Sequence, residues 1–245
     1  MPEEKEDKKA GLTRHKESLK EWLRDLVDVL VTLGVILVIL RVLLGAHMIV
    51  PLVVVTTGSM VHHEGSNSWI AWLNERGVAN ETVMEMPLGG GFNVGDMMVT
   101  MRPEAGLGDV IIYQRDSVYG SPDMEPIIHR VVGIVYVNES RVVGHEGTLD
   151  CFGEDDFQKY VGYVDECRVN MTGCPYPAVP ESASYRFYIT KGDANTASDQ
   201  CAPLMKISIP VNEAQVPAKA WLRLPYVGWL KLIMNAVIRL LTFRF

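Results

Sequence analysis

Basic charge is scarce where a nucleic-acid binder would need it. The 245 residues carry 23 Lys/Arg against 30 Asp/Glu, a formal net charge of −7. A phosphate backbone calls for a basic face, so no nucleic acid is expected as a partner. Cysteine is sparse and never spaced as CxxC: 15, 6 and 26 residues separate Cys151, Cys167, Cys174 and Cys201. That spacing argues against a zinc site. Four is still an even number, and outside the cytoplasm one or two disulfides are expected. Three full pairings stay open, as do buried free thiols. Internal repeats are lacking. From Leu52 to Leu224 no segment sustains a 3.6-residue apolar period, apart from a turn or two near NSWIAWLNERG.

What the chain does have is one long apolar run near its start. Mean hydropathy is slightly positive, and no charge interrupts Val29 to Leu40. Trp22 to Ala46 supplies the roughly 20 helical residues that a bilayer requires. Arg41 is close enough to the far end to snorkel to the headgroups. A cleavable signal peptide would need a shorter charged region and a better small-residue exit than LLGAHM. Residues 1–24 hold seven Lys/Arg, so the expectation is a mobile charged cytoplasmic tail (1–21) followed by a transmembrane anchor (22–46). The domain that follows, 47–226, would then face outward. Its acidic balance fits water: residues 56–226 hold 12 Lys/Arg against 22 Asp/Glu. Sequons at Asn80, Asn138 and Asn170 suit that side.

In the outer domain LVVVTT, MMVTM, DVIIYQ, IIHRVVGIVYV and YRFYIT are rich in Val, Ile, Tyr and Thr and are bounded by turn formers. The fold class expected is mainly β. Residues 138–184, rich in Gly, Asp, Glu and Cys, read as an irregular insertion. At the end, 227–245, Lys231, Asn235 and Arg239 recur at i, i+4 and i+8 and form one polar stripe on an apolar helix. Such a helix lies in the membrane interface; a second span and a core helix are the alternatives.

Three segments hold candidate chemistry. Ser59, in VVTTGSMVHHEG, follows a β-branched run and Gly58, which permits a turn and close approach of a substrate. A serine nucleophile needs a base within reach and a group to orient that base. His62 and His63 are nearest in sequence, but residues three or four along a turning chain point elsewhere. His129 lies inside a strong strand, which positions side chains reproducibly, and imidazole is the side chain suited to take a serine proton near neutral pH. In YITKGDANTASDQ, Asp193 or Asp199 would orient the ring. His62, His63 and Glu64 would be poor metal ligands, since consecutive residues seldom converge on one ion. They would rather touch headgroups or the departing chain. No metal and no cofactor is expected.

TTGSM past an anchor, GDVIIY, IIHRVVG and TKGDANTASD, in that order, resemble the signal peptidase I family, in its archaeal and endoplasmic-reticulum branch. The bacterial branch carries a lysine where His129 stands. The resemblance covers Val54–Met60, Gly95–Tyr113, Ile127–Gly133 and Ile189–Asp199. It implies an antiparallel β catalytic domain of signal-peptidase type. Ser59 would be the nucleophile, His129 the general base and Asp199 the triad carboxylate, with Asp193 supporting the site. Thr57 would help the Ser59 backbone N–H hold the oxyanion. The implied partners are the signal peptides of preproteins, the lipid bilayer and the protein translocation channel. The chain departs from the family in lacking a proline after SM, in having Ala194 in the GDNN turn, and in its insertion. A non-catalytic tethered β module and a serine protease with another membrane substrate are the competing expectations.

Overall fold

The computed structural model describes residues 3–45, 48, 50–62, 68–202 and 206–242. In chain order these form α1 (Glu3–Leu44), β1 (Leu52–Val54), α2 (Ser68–Asn74), α3 (Asn80–Met84), β2 (Met97–Met101), β3 (Val110–Tyr113) and β4 (Ile127–Asn138). There follow β5 (Arg141–Gly147), α4 (Gln158–Val169), β6 (Ser184–Lys191), β7 (Val211–Asn212), β8 (Ala218–Leu224) and α5 (Trp229–Thr242). The chain divides into two units, Met1–Leu43 and Leu44–Phe245.

The first unit is helix. Lys20–Leu44 is long and apolar enough to cross a membrane, and its side chains are not buried by the rest of the chain. Twenty-five helical residues rise about 37 Å, against a hydrocarbon core of about 30 Å. The charged opening belongs to the same helix, since α1 begins at Glu3.

The second unit is built on one antiparallel sheet, curled into a half-barrel. Its strand order is β1-β2-β8-β3-β4-β6-β7, with β5 pairing β4 off that path. The four-residue β3 is buried along its whole length and β4 along most of its twelve, which is why both read as nearly unbroken apolar runs. β8 and β5 are not marked by the sequence pattern. AKAWLRL and RVVGHEG carry too many polar residues for an apolar run, yet β8 sits between β2 and β3. The ladder of β1 ends at Val54, short of the LVVVTT expected.

The segment 138–184 is not irregular. It contains β5 and a twelve-residue helix, α4. Phe157, Val161 and Val164 recur at i, i+4 and i+7 and are buried against Phe187 and Ile189 of β6. Tyr, Gly, Asp and Glu between them dilute the apolar period, so the pattern is weak in sequence. The cysteines pair as Cys151–Cys201 and Cys167–Cys174, and none is free. That selects one of the three open pairings and removes the free-thiol reading. α5 is no core helix: Trp229, Leu230, Ile233, Met234, Val237 and Ile238 are all exposed. Its fourteen residues rise about 21 Å, short of a bilayer core.

Candidate active site

Three elements far apart in sequence deliver one cluster. Ser59 stands in the turn after β1, closed by Val61 N–H donating to Gly58 O at 3.1 Å. His129 is the third residue of β4, opposite Ile111 of β3 in the ladder. Asp199 lies in the loop after β6, where its N–H donates to Thr190 O and its own carbonyl accepts Ile207 N–H, each at 2.8 Å.

The side chains meet in series. Ser59 Oγ is 2.8 Å from His129 Nε2, and His129 Nδ1 is 2.7 Å from Asp199 Oδ2. A carboxylate only accepts. Nδ1 therefore carries the proton, and Nε2 presents its lone pair to the serine O–H. The serine is half-buried while the imidazole and carboxylate are buried. One end of the relay meets solvent and the other sits in the protein interior. Thr57 Oγ1 is 3.4 Å from Ser59 Oγ, with both residues near the open end. The arrangement can move a proton from a hydroxyl to an imidazole and stabilise the imidazolium that results.

Gly192 is what lets the parts close up. A Cβ at that position would come within 2.8 Å of Ser59 O and 2.9 Å of His129 Nε2, so no larger residue fits. The next turn grips the Ser59 backbone, with Ala194 N–H donating to Ser59 O at 2.8 Å.

Asp193 does not reach the imidazole of His129. It takes a bidentate pair from Arg130, with Nε 2.8 Å from Oδ1 and Nη2 2.7 Å from Oδ2, and a third contact from His62 Nε2 at 2.8 Å. Burial by itself would raise the Asp193 carboxyl, but the hydrogen bonds from Arg130 and His62 outweigh it and hold it below the usual carboxylate range. Of the two aspartates, then, Asp199 orients the ring. Asp193 ties β4 to the segment that follows the serine, and its N–H also donates to Met60 Sδ at 3.3 Å.

Burial pushes Lys191 down to about 8, although the charges of Asp193 and Asp199 act to raise it. Its Nζ donates to Gly192 O and Asp193 O at 3.0 and 3.2 Å. Helix α2 covers these cations. Trp69 and Trp72, one turn apart, lie 4.6 Å from the Arg130 guanidinium and 5.1 Å from the Lys191 ammonium. His62 stacks on Trp69 at 5.5 Å between centroids.

Sequence reasoning passed over Arg130, although an arginine between His129 and Val131 in a largely apolar strand has to find a buried acid. It also passed over Tyr113 and Thr190, both hydrogen-bonded to Asp199; no local pattern marks them. His63 and Glu64, considered above for headgroup contact, lie outside the described residues, as do Ala46 and His47 at the expected anchor boundary. Among the described residues no group of three His, Cys, Asp or Glu side chains is placed to hold a metal ion. Neither family models, nor curated proteins, nor solved structures match this chain.

Proposed function

We propose that this chain is a membrane-anchored serine endopeptidase of the signal peptidase I type, which removes signal peptides from secretory preproteins after small residues. The observation that carries the reading is the Ser59–His129–Asp199 series, at 2.8 and 2.7 Å. Ser59 Oγ attacks the scissile carbonyl carbon as its proton passes to His129 Nε2. The backbone N–H of Ser59 and the hydroxyl of Thr57 receive the oxyanion. Losing one such donor costs about 3–4 kcal/mol of transition-state stabilisation. The C–N bond then breaks, and His129 Nε2–H protonates the departing amine of the mature chain. Water, deprotonated by His129, attacks the acyl-Ser59 ester and frees the signal peptide's carboxylate. Asp199 stays ionised throughout and keeps the imidazole in the reactive tautomer.

The surroundings fit a substrate in a membrane. Signal peptides are released beside their own apolar segment at the outer face of the bilayer. A serine fifteen residues past the end of α1 is on a short tether to such a depth. Lys/Arg clustering before the apolar run favours a cytoplasmic amino terminus and an outward domain, and two disulfides suit an oxidising side. The exposed apolar face of α5 would rest in the interface. The translocation channel, which delivers such substrates, is the natural neighbour.

The test is cleavage of a model preprotein by the purified full chain in detergent. Scission after a small residue is expected, with kcat falling by about 10⁴ or more in Ser59→Ala. A wild-type protein that binds the precursor without cutting it would instead be a non-catalytic module. One that cuts other membrane proteins and spares signal peptides would be a protease of different substrate.

A further inference from the structure

Asp199 makes all its side-chain contacts through one oxygen. Oδ2 accepts His129 Nδ1–H at 2.7 Å, the Tyr113 phenol at 2.9 Å and the Thr190 hydroxyl at 2.7 Å. Oδ1 is buried with no hydrogen-bond partner among the described residues. The sense of the Thr190 hydroxyl is dictated from behind. Gln200 Oε1 accepts Thr190 N–H at 3.0 Å, which turns its amide nitrogen toward Thr190 Oγ1 at 3.2 Å and toward Ser208 Oγ at 2.7 Å. With Gln200 donating to it, Thr190 Oγ1 has one proton to give, and Asp199 Oδ2 at 2.7 Å is a far closer acceptor than the Tyr113 hydroxyl at 3.4 Å. Burial, reinforced by the charge of Asp199, holds the Tyr113 phenol well above its ordinary value, so it too remains a donor at any working pH.

We propose that Tyr113 and Thr190 are positioning residues of the hydrolytic site, acting on Ser59 through Asp199 and His129. Both donate to the oxygen that accepts His129 Nδ1–H, so they fix its place and draw off part of its charge. The inference rests on the serine-hydrolase reading above and extends it to residues that touch no substrate. An oxygen shared among three donors binds the imidazolium less tightly than one that serves His129 alone. From β3 Asp199 faces Tyr113, from β4 His129, and from β6 Thr190 together with the charge of Lys191, which feels Asp199; Lys191 is left unchanged in the test.

The test uses the full chain with Tyr113→Phe, which removes one oxygen and nothing else, and with Thr190→Val and Thr190→Ser. In Tyr113→Phe and Thr190→Val, kcat is expected to fall about tenfold at unchanged KM. The acid limb of the kcat/KM profile should move to higher pH. In the resting protein the His129 Nδ1–H proton resonance should move downfield, as Oδ2 loses a competing donor. Thr190→Ser should restore all three. A folded Tyr113→Phe protein with unmoved resonance and unmoved acid limb overturns the proposal, even if kcat falls. Should the wild-type chain cleave no precursor, the resonance still decides. A downfield shift then supports the network while the protease reading fails, and no shift rejects both.

Discussion

Arg130 and Asp193 form a buried two-point ion pair immediately beside the proposed base, at 2.8 and 2.7 Å. The guanidinium also donates to the carbonyls of Pro87 and Gly108, at 2.7 and 2.8 Å. Arg130 is one residue along β4 from His129, so the same strand carries the proposed base and a structural clamp. Removing one partner strands the other's charge in the interior and costs about 3–5 kcal/mol. Arg130→Met should lower unfolding free energy by that amount in urea. The Arg130→Met/Asp193→Leu double variant should be less destabilised than the two single changes together. Strict additivity would mean the pair is not coupled.

Asp199 and Asp193 are expected to fail differently. Asp199→Asn puts a donor where Nδ1–H needs an acceptor, and kcat should drop by about 10⁴. Asp193→Asn should lose stability first and turnover less. Rates for the two variants, each checked for folding by its circular dichroism, give the ranking. A greater rate loss at Asp193 would transfer the orienting role to it.

Stability should rise with pH above about 8 because of Lys191. Burial lowers its folded value to about 8, against about 10.4 in an unfolded chain. Between those values the unfolded chain holds a proton that the folded chain has shed. The penalty of the buried charge, complete below pH 8, is thus relieved as pH climbs, by up to about 1.4 kcal/mol per unit. Buried phenols oppose this above pH 10, since Tyr188, raised to about 12 by burial, keeps its proton when folded. Urea titrations from pH 7 to 9.5 should show the rise in wild type and a flatter line in Lys191→Met. Parallel lines would assign the buried charge elsewhere.

The two disulfides are unequal. Cys151–Cys201 closes 50 residues and Cys167–Cys174 closes 7. Chain entropy alone assigns them about 4 and about 2 kcal/mol. The longer bridge also anchors the loop that carries Asp199, which is further held by Ser198 Oγ donating to Asp150 Oδ2 at 2.8 Å. Cys151→Ser/Cys201→Ser should therefore lower both the melting temperature and kcat, and Cys167→Ser/Cys174→Ser the melting temperature alone. Loss of kcat in the second pair and not the first would reverse that assignment.

Tryptophans report the proposed membrane face. Trp221 and Trp229 are exposed, whereas Trp69 and Trp72 are buried under the site. In protein reconstituted with brominated lipids, single-tryptophan variants retaining Trp221 or Trp229 should be quenched, and those retaining Trp69 or Trp72 should not. Unquenched Trp229 would take α5 out of the interface.

The amino-acid sequence by itself determined what depends on near neighbours. The uncharged run from Val29 to Leu40 makes α1 apolar whatever follows it, and the β-branched runs of β3 and β4 read as buried strands. Ser59, His129 and Asp199 were legible as residue types in turn, strand and turn. Their meeting was legible only through the family resemblance, because each contact spans 70 residues and depends on strand register, which no local period encodes. The same holds for α4, whose apolar residues acquire a face only once β6 is beneath them, and for the cysteine pairing, fixed by where two loops end. The residues alone left Asp193 and Asp199 equal; the resemblance implied Asp199, and the tertiary structure sets Asp199, not Asp193, against the His129 ring. The two carry the same carboxylate in one short loop, and only the placement of Arg130 and His129 on neighbouring positions of β4 decides which of them meets a guanidinium and which an imidazole.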